Sequence, residues 1–176
     1  MEPIQETVEE ILLILESDHD KEWPRKRQKI SKIIQKRFDF QEQSRLVLAS
    51  HWEKISSEEK RQFISLFSDL QEHSFLNRLK DYSDEKVTFT KQLTKGNKAV
   101  VFSAIINGTE QIPMVYRMRK NQDNWFVYDV IIDGVSIVKN YRQQFSAILA
   151  KEKFPGLIVK MEEKIERIMA EEEGNK

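Results

Sequence analysis

Cysteine is absent from the 176 residues. That excludes disulfides, thiolate metal sites and cysteine nucleophiles. Histidine is scarce: His19, His51 and His73 are scattered through polar stretches without ligand spacing. A histidine-built metal site is therefore not expected. No apolar run approaches the roughly 20 residues that span a bilayer. Neither sign of charge is in excess, with 29 Lys+Arg against 29 Asp+Glu. A dedicated nucleic-acid binder needs a basic surplus to displace phosphate counterions, and there is none. The opening stretch MEPIQETVEE lacks the basic-then-apolar pattern of a signal peptide. Two readings stand on that point: a cytosolic chain, or one whose signal has been removed.

What is present suffices for a real core. Hydrophobic residues make up 39% and charged residues 33%, the balance of a soluble globular domain. The length fits one domain of ordinary size.

The early periodicity is helical. Ile4, Val8, Ile11, Leu12 and Leu15 share one face, and SDHD breaks it. Pro24 suits the first turn of a second helix with Ile30, Ile33, Ile34 and Phe38 on its apolar side. A third helix carries Leu46, Val47 and Leu48. SSEE reads as a capping box, with Ser56 and Glu59 bonding each other's amides. The helix behind it shows Phe63, Leu66, Phe67 and Leu70 and continues to Leu79.

From Lys86 the period shortens to two. Val87, Phe89 and Leu93 alternate with polar residues, and AVVFSAII, IPMVYRM and NWFVYDVII follow as further strands. Gly96-Asn97, Asn107-Gly108 and a turn near Asn121 join them as hairpins. After Gly134, Tyr141, Phe145, Ile148 and Leu149 return to helical spacing. KFPG ends that helix, and Leu157, Met161, Ile165, Ile168 and Met169 mark a last one before the polar tail EEEGNK. The expected fold is α+β: a four-stranded antiparallel curved sheet wrapped by N- and C-terminal helices, with an apolar pocket between sheet and helices. It forms a single domain over 1–176, helical over about 1–82, sheet over about 86–132 and closing helices over about 136–173.

Alternation with even turns assigns the sheet faces. One holds Val101, Ile105, Ile112, Met114, Tyr116, Met118, Trp125, Val127 and Ile131, with Thr88, Thr90, Ser103 and Asp129. The other holds Val87, Phe89, Leu93, Val100, Phe102, Ala104, Val115, Phe126, Tyr128, Val130 and Ile132. A single bulge would flip part of this assignment. Both faces are largely apolar, so either helices cover both or one lines a cavity. Met114 and Met118 suit a cavity of variable shape, and equally an irregular core.

Candidates for chemistry are weak. Gly134-Val135-Ser136-Ile137-Val138 lacks the second glycine of a nucleophile elbow, so Ser136 reads as a cap for the next helix. Asp129 and Asp133 lie too far apart along a strand to act as acid and base. Asp129 reads as a buried, hydrogen-bonded carboxylate with Arg142 as partner. KEWPRKRQKISKIIQKRF is a basic cluster. It is a solvated helix face, or else a surface for an anionic membrane or nucleic acid.

Several stretches together resemble one family. They are FDF at 38–40, F-x-x-L-F-x-x-L at 63–70, IPMVYRM at 112–118, WFVYDVIIDGVSIVKNYRQQF at 125–145 and GLI at 156–158. They look like the MlaC family, toluene-tolerance-type auxiliary proteins of lipid transport that maintain outer-membrane lipid asymmetry, and the likeness runs from Ile4 to Ile165. The resemblance implies a periplasmic phospholipid carrier with the acyl tails in a pocket between sheet and helices. Its implied partners are phospholipid, an inner-membrane ABC-transporter complex and an outer-membrane lipoprotein–porin complex, with no nucleic acid. It implies no catalytic residue, no metal and no cofactor apart from lipid as cargo. With the face assignment, the pocket is expected at Phe67, Leu70, Leu79, Val101, Met114, Tyr116, Met118, Val127, Ile131, Val135, Ile137, Tyr141 and Phe145. Two other readings remain: a small-substrate enzyme on a nuclear-transport-factor-like cone using Asp129 or Tyr116, and a basic-helix interaction module at residues 21–37.

Overall fold

A computed structural model describes residues 1–17, 22–82 and 85–174. His19, the core of the SDHD break and the last two tail residues lie outside these. The chain forms two compact units, Met1–Asp39 with Lys80–Ile137, and Phe40–Leu79 with Val138–Lys176.

The first unit opens with helix α1 (Glu2–Glu16), started by Pro3 and burying Ile4, Thr7 and Ile11. Proline costs nothing there, because the first-turn amides have no helical acceptor. Helix α2 (Trp23–Arg37) repeats the device with Pro24 and buries Ile30 and Ile34. Lys26 Nζ donates to the Leu15 carbonyl at 2.6 Å, closing the end of α1.

The sheet follows as strands β1 (Lys86–Lys95), β2 (Lys98–Asn107), β3 (Glu110–Asn121), β4 (Asn124–Ile132) and β5 (Val135–Ser136), antiparallel in that order. The expected four strands become five: β5 is two residues folded back onto Ile131 and Ile132. Each turn is a two-residue loop. Gly96, Gly108 and Gln122 take positive φ at the first loop position. In the last turn Asp133 (φ 47) and Gly134 (φ 79) are both left-handed, the type I′ geometry that matches strand twist. Asp39 N–H bonds the Val127 carbonyl at 2.8 Å, and Arg119 Nε bonds Asp39 Oδ2 at 2.6 Å. The end of α2 is thereby fastened to the sheet. Arg37 adds bonds to Thr7 Oγ1 and the Trp125 carbonyl, each 2.8 Å.

The even turns hold, but two bulges change the faces. Phe89 pairs Ser103 while Lys91 pairs Phe102, leaving Thr90 extra. Arg117 pairs Asp129 while Met118 pairs Val127, leaving Tyr128 extra. Each extra residue inverts the alternation on one side of it and bends the strand. Val87 and Phe89 therefore join the Val101 face instead of opposing it. Asp129 and Ile131 leave that face, and Val130 and Ile132 take their places.

The second unit is helical. Helix α3 (Phe40–Leu48) buries Val47 and Leu48, and a 3₁₀ turn (Ala49–Lys54) buries Trp52 beneath the Lys60 ammonium, 5.0 Å from its ring. The capping box forms as read: Glu59 N–H donates to Ser56 Oγ at 3.1 Å, and Ser56 N–H donates to Glu59 Oε2 at 2.7 Å. It opens helix α4 (Ser57–Leu79), which buries Phe63, Phe67, Leu70 and Leu76. Helix α5 (Ile137–Gly174) breaks at Lys153, where φ is 62. Pro155 cannot supply the amide that would carry the first segment through. Arg142, expected beside Asp129, instead donates from Nε to the Leu46 carbonyl at 2.8 Å. That bond satisfies a carbonyl near the end of α3, where helical N–H donors run out.

Candidate functional site

The expected site residues fall into one set on the sheet unit and one on the helical unit. On the sheet, cross-strand register builds the set. Val101 faces Tyr116, Ser103 faces Met114 and Ala99 faces Met118. Across the next ladder Val127 faces Met118, Val130 faces Tyr116 and Ile132 faces Met114. Such directly opposed residues touch, so one row specifies the next. Val101, Met114, Tyr116, Met118 and Val127 form one buried cluster with Ile4, Ala99 and Val130. Val8, Phe38, Phe89 and Ile137 pack against it.

Two expected members do not join this cluster. Ile131 faces Val115 on the opposite side of the sheet, because the Tyr128 bulge turns it over. Val135 is 57% exposed, lying just beyond the turn on the short fifth strand. Phe89 was missed for the same reason that Ile131 was misplaced. Its ring stacks on Tyr116, with centroids 6.4 Å apart.

Two hydroxyls sit in this apolar surface. Ser103 Oγ is buried without a hydrogen-bond partner at bonding distance. Burial pushes the Tyr116 phenol above its ordinary range, and the neighbouring Ser103 acts the other way more weakly. The phenol is thus held neutral.

Asp129 lies on the other face, 2% exposed. Ser136 Oγ donates to its Oδ2 at 2.7 Å, and Arg117 Nη1 donates to the same oxygen at 3.2 Å. Arg117 is its direct cross-strand neighbour. The buried, hydrogen-bonded reading holds, with Arg117 in the place expected for Arg142. Ser136, read as a cap, stands immediately before α5 and donates its hydrogen bond to Asp129. Asp133 is exposed in the turn, so the two carboxylates do not share a site.

On the helical unit, Phe67, Leu70, Tyr141 and Phe145 are buried, and Leu79 is half-buried at the end of α4. Phe67 meets Tyr141 edge-on at 5.2 Å and Phe145 at 5.9 Å, while Phe63 stacks on Phe67 at 5.5 Å. Phe63 was not among the expected site residues, although its four-residue spacing from Phe67 places both on one helix face. Edge-to-face rings add about 0.5–1.5 kcal/mol each beyond burial. Lys164 Nζ lies 5.2 Å from the Tyr141 ring centre. Burial lowers its pKa, and Arg167 adds to the effect. Burial raises that of the Tyr141 phenol, opposed by Ser74 and Arg78.

Among the described residues, no group of three or more His, Cys, Asp or Glu is placed to hold a metal, and no helix is long and apolar enough to cross a membrane. Both sets are predominantly apolar.

Comparison with known proteins agrees with that character. The family model described as MlaC protein matches residues 5–163. The intermembrane phospholipid transport system binding protein MlaC of Haemophilus influenzae is 30% identical over 123 residues. The alignment takes in 66% of this chain and 58% of that protein, so the chain spans little more than half of its relative. A solved phospholipid-binding protein from Ralstonia solanacearum, in complex with a phospholipid, superposes with a TM-score of 0.86 at 21% identity. It covers 95% of this chain and 97% of its own, and it shows the fold.

Proposed function

The chain belongs to the MlaC family, and from that premise we propose that it is a phospholipid-binding carrier of intermembrane transport. The observation that carries the reading is the family match over residues 5–163. The relatives' phospholipid names and the apolar sets described above support it.

The tails contact Val101, Met114, Tyr116, Met118, Val127 and Ile137 on the sheet unit. Taken by itself, the helical unit offers Phe67, Leu70, Leu79, Tyr141 and Phe145 as apolar contacts. The sheet set is already packed by Ile4, Val8 and Phe38. A tail reaching it exchanges one apolar contact for another. Met114 and Met118 suit that exchange, since methionine re-forms its packing at low cost.

Removing one tail CH₂ from water gains about 0.8 kcal/mol. A lipid in a bilayer already has that gain, so transfer to the carrier is nearly neutral. The barrier is exposure of the tails in transit, and docking at the donor or acceptor removes it. Near-neutral exchange sets no direction. Direction comes from the membrane complexes, an ABC transporter on one side and a lipoprotein–porin assembly on the other, with the carrier moving in the periplasm. On this reading Asp129 is a structural carboxylate, held by Arg117 and Ser136.

The test is native mass spectrometry of protein purified without detergent, paired with uptake of fluorescent phospholipid from vesicles. A lipid-sized mass increment and saturable uptake are expected. Protein that is consistently empty and takes up no lipid overturns the reading.

A further inference from the structure

The basic run of the second helix is not used by the carrier reading. Helix α2 has the sequence WPRKRQKISKIIQKR, seven cations and no acid. The whole chain is neutral, so the remainder holds 22 Lys+Arg against 29 Asp+Glu. Lys26 is bonded at the end of α1 and Arg37 at Thr7 and Trp125. Four others, Arg25, Lys29, Lys32 and Lys36, are exposed. Their spacing of four, three and four places them in one row about 16 Å long. The row runs opposite the buried Ile30 and Ile34 and is flanked by exposed Gln28 and Gln35.

This row works against the helix that bears it. Arg25 sits in the first turn, where the helix dipole disfavours cations. Arg25 with Lys29, Lys29 with Lys32, and Lys32 with Lys36 are like-charge neighbours that destabilise a helix. The Glu22–Arg25 pair is 3.7 Å apart with both side chains more than 70% exposed, too solvated to offset this. A concentration of one sign of charge on a single exposed face, in a chain that is neutral overall, points to a role for that face.

We propose that this face of α2 docks the protein on an anionic phospholipid membrane. A straight row of cations meets a plane along its whole length. Trp23, at the head of the helix and half-buried, is of the residue type that anchors at the membrane–water boundary. Nucleic acid is a poorer fit. No aromatic is interleaved in the row to stack on bases. The proposal stands independently of the cargo. Docking brings a carrier to a bilayer whether or not the reading of its buried faces is right.

The experiment is flotation with vesicles of pure phosphatidylcholine and of phosphatidylcholine mixed with phosphatidylglycerol. Binding to the mixed vesicles alone, weakened by salt, is expected. Each row cation removed weakens it about fivefold, so Lys29→Gln with Lys32→Gln weakens it about 25-fold. Arg25→Gln with Lys36→Gln, an independent pair, has the same effect. Lys95→Gln with Lys98→Gln, at an exposed hairpin, leaves binding unchanged. The row variants stay folded, which thermal melts check, because all four positions are exposed. No binding to mixed vesicles at low salt overturns the proposal. Row variants that bind like the parent overturn it as well. Row-dependent binding to duplex oligonucleotide tighter than to mixed vesicles assigns the face to nucleic acid instead. Cargo uptake from pure phosphatidylcholine is measured on the same proteins. Its failure with docking intact counts against the carrier reading alone.

Discussion

Val127 lies opposite Met118 across the β3–β4 ladder, and Tyr128, the next residue, has no partner on β3. That one unpaired residue puts Val127 on the packed face and turns Ile131 away from it. Val127 is fully buried against the Ile4 and Met118 cluster. Val127→Trp therefore overpacks a filled site, at about 1–3 kcal/mol or more. Ile131→Trp, on the half-buried opposite face, costs less. Thermal unfolding of the two variants side by side measures the difference. Equal melting temperatures would put Val127 off the packed face.

Asp129 offers a second test, because its partners differ in exposure. Asp129→Ala leaves the buried Ser136 hydroxyl without its acceptor and Arg117 without its counter-charge. The expected loss is about 1–3 kcal/mol. Asp129→Asn retains an oxygen for Ser136 and should cost less. Arg117 is 41% exposed, so water takes over much of its solvation. Denaturant unfolding of both variants, with lipid uptake measured on the folded protein, separates the two roles. A folded Asp129→Asn protein that has lost a measurable turnover would favour an enzyme.

The helices, the hairpin turns and the capping box were legible because each has a local cause. Pro24 opens α2, Gly96 and Gly108 supply positive φ, and Ser56 with Glu59 close a ring of hydrogen bonds over four residues. The bulges at Thr90 and Tyr128 have no such mark. A bulge is decided by how two strands settle together, and either residue would pass for an ordinary strand position. That five of the residues expected at the pocket, from Val101 to Val127, share one buried sheet face was legible. They lie on β2, on β3 and on the side of the second bulge that keeps its alternation. Phe89 and Ile131 were lost because each lies beyond a bulge. Asp129's partner was lost for a related reason: Arg117 faces it only after the register shifts.

The capping box gives a prediction confined to one turn. Ser56→Ala removes the acceptor for Glu59 N–H at an exposed helix start. The expected cost is about 1 kcal/mol. Ser56→Asp restores an acceptor and, at the positive end of the helix dipole, should recover most of the loss. Thermal melts of the three proteins test this order. Alanine and aspartate variants melting together would show that the ring of hydrogen bonds adds nothing in solution.

Tyr116 links the packed sheet face to pH. Burial is the main cause holding its phenol above the ordinary value of 10.0, and Ser103 only partly offsets it. Below that value both folded and unfolded chains keep the proton, so the contribution to stability is complete. Above it the unfolded chain releases the proton while the folded chain does not. The unfolded state then binds fewer protons, and stability falls as pH rises toward the folded pKa. The slope from one such group approaches about 1.4 kcal/mol per pH unit. Tyr141, also raised by burial, adds a second contribution of the same sign. Tyr116→Phe keeps the ring against Phe89 and removes the titrating group. It should leave neutral-pH stability little changed and flatten the alkaline loss. Unfolding free energies measured by denaturant from neutral pH upward give the comparison. A Tyr116→Phe protein that loses stability as steeply as the parent above pH 10 would mean that this phenol ionises as readily in the folded chain as in the unfolded one.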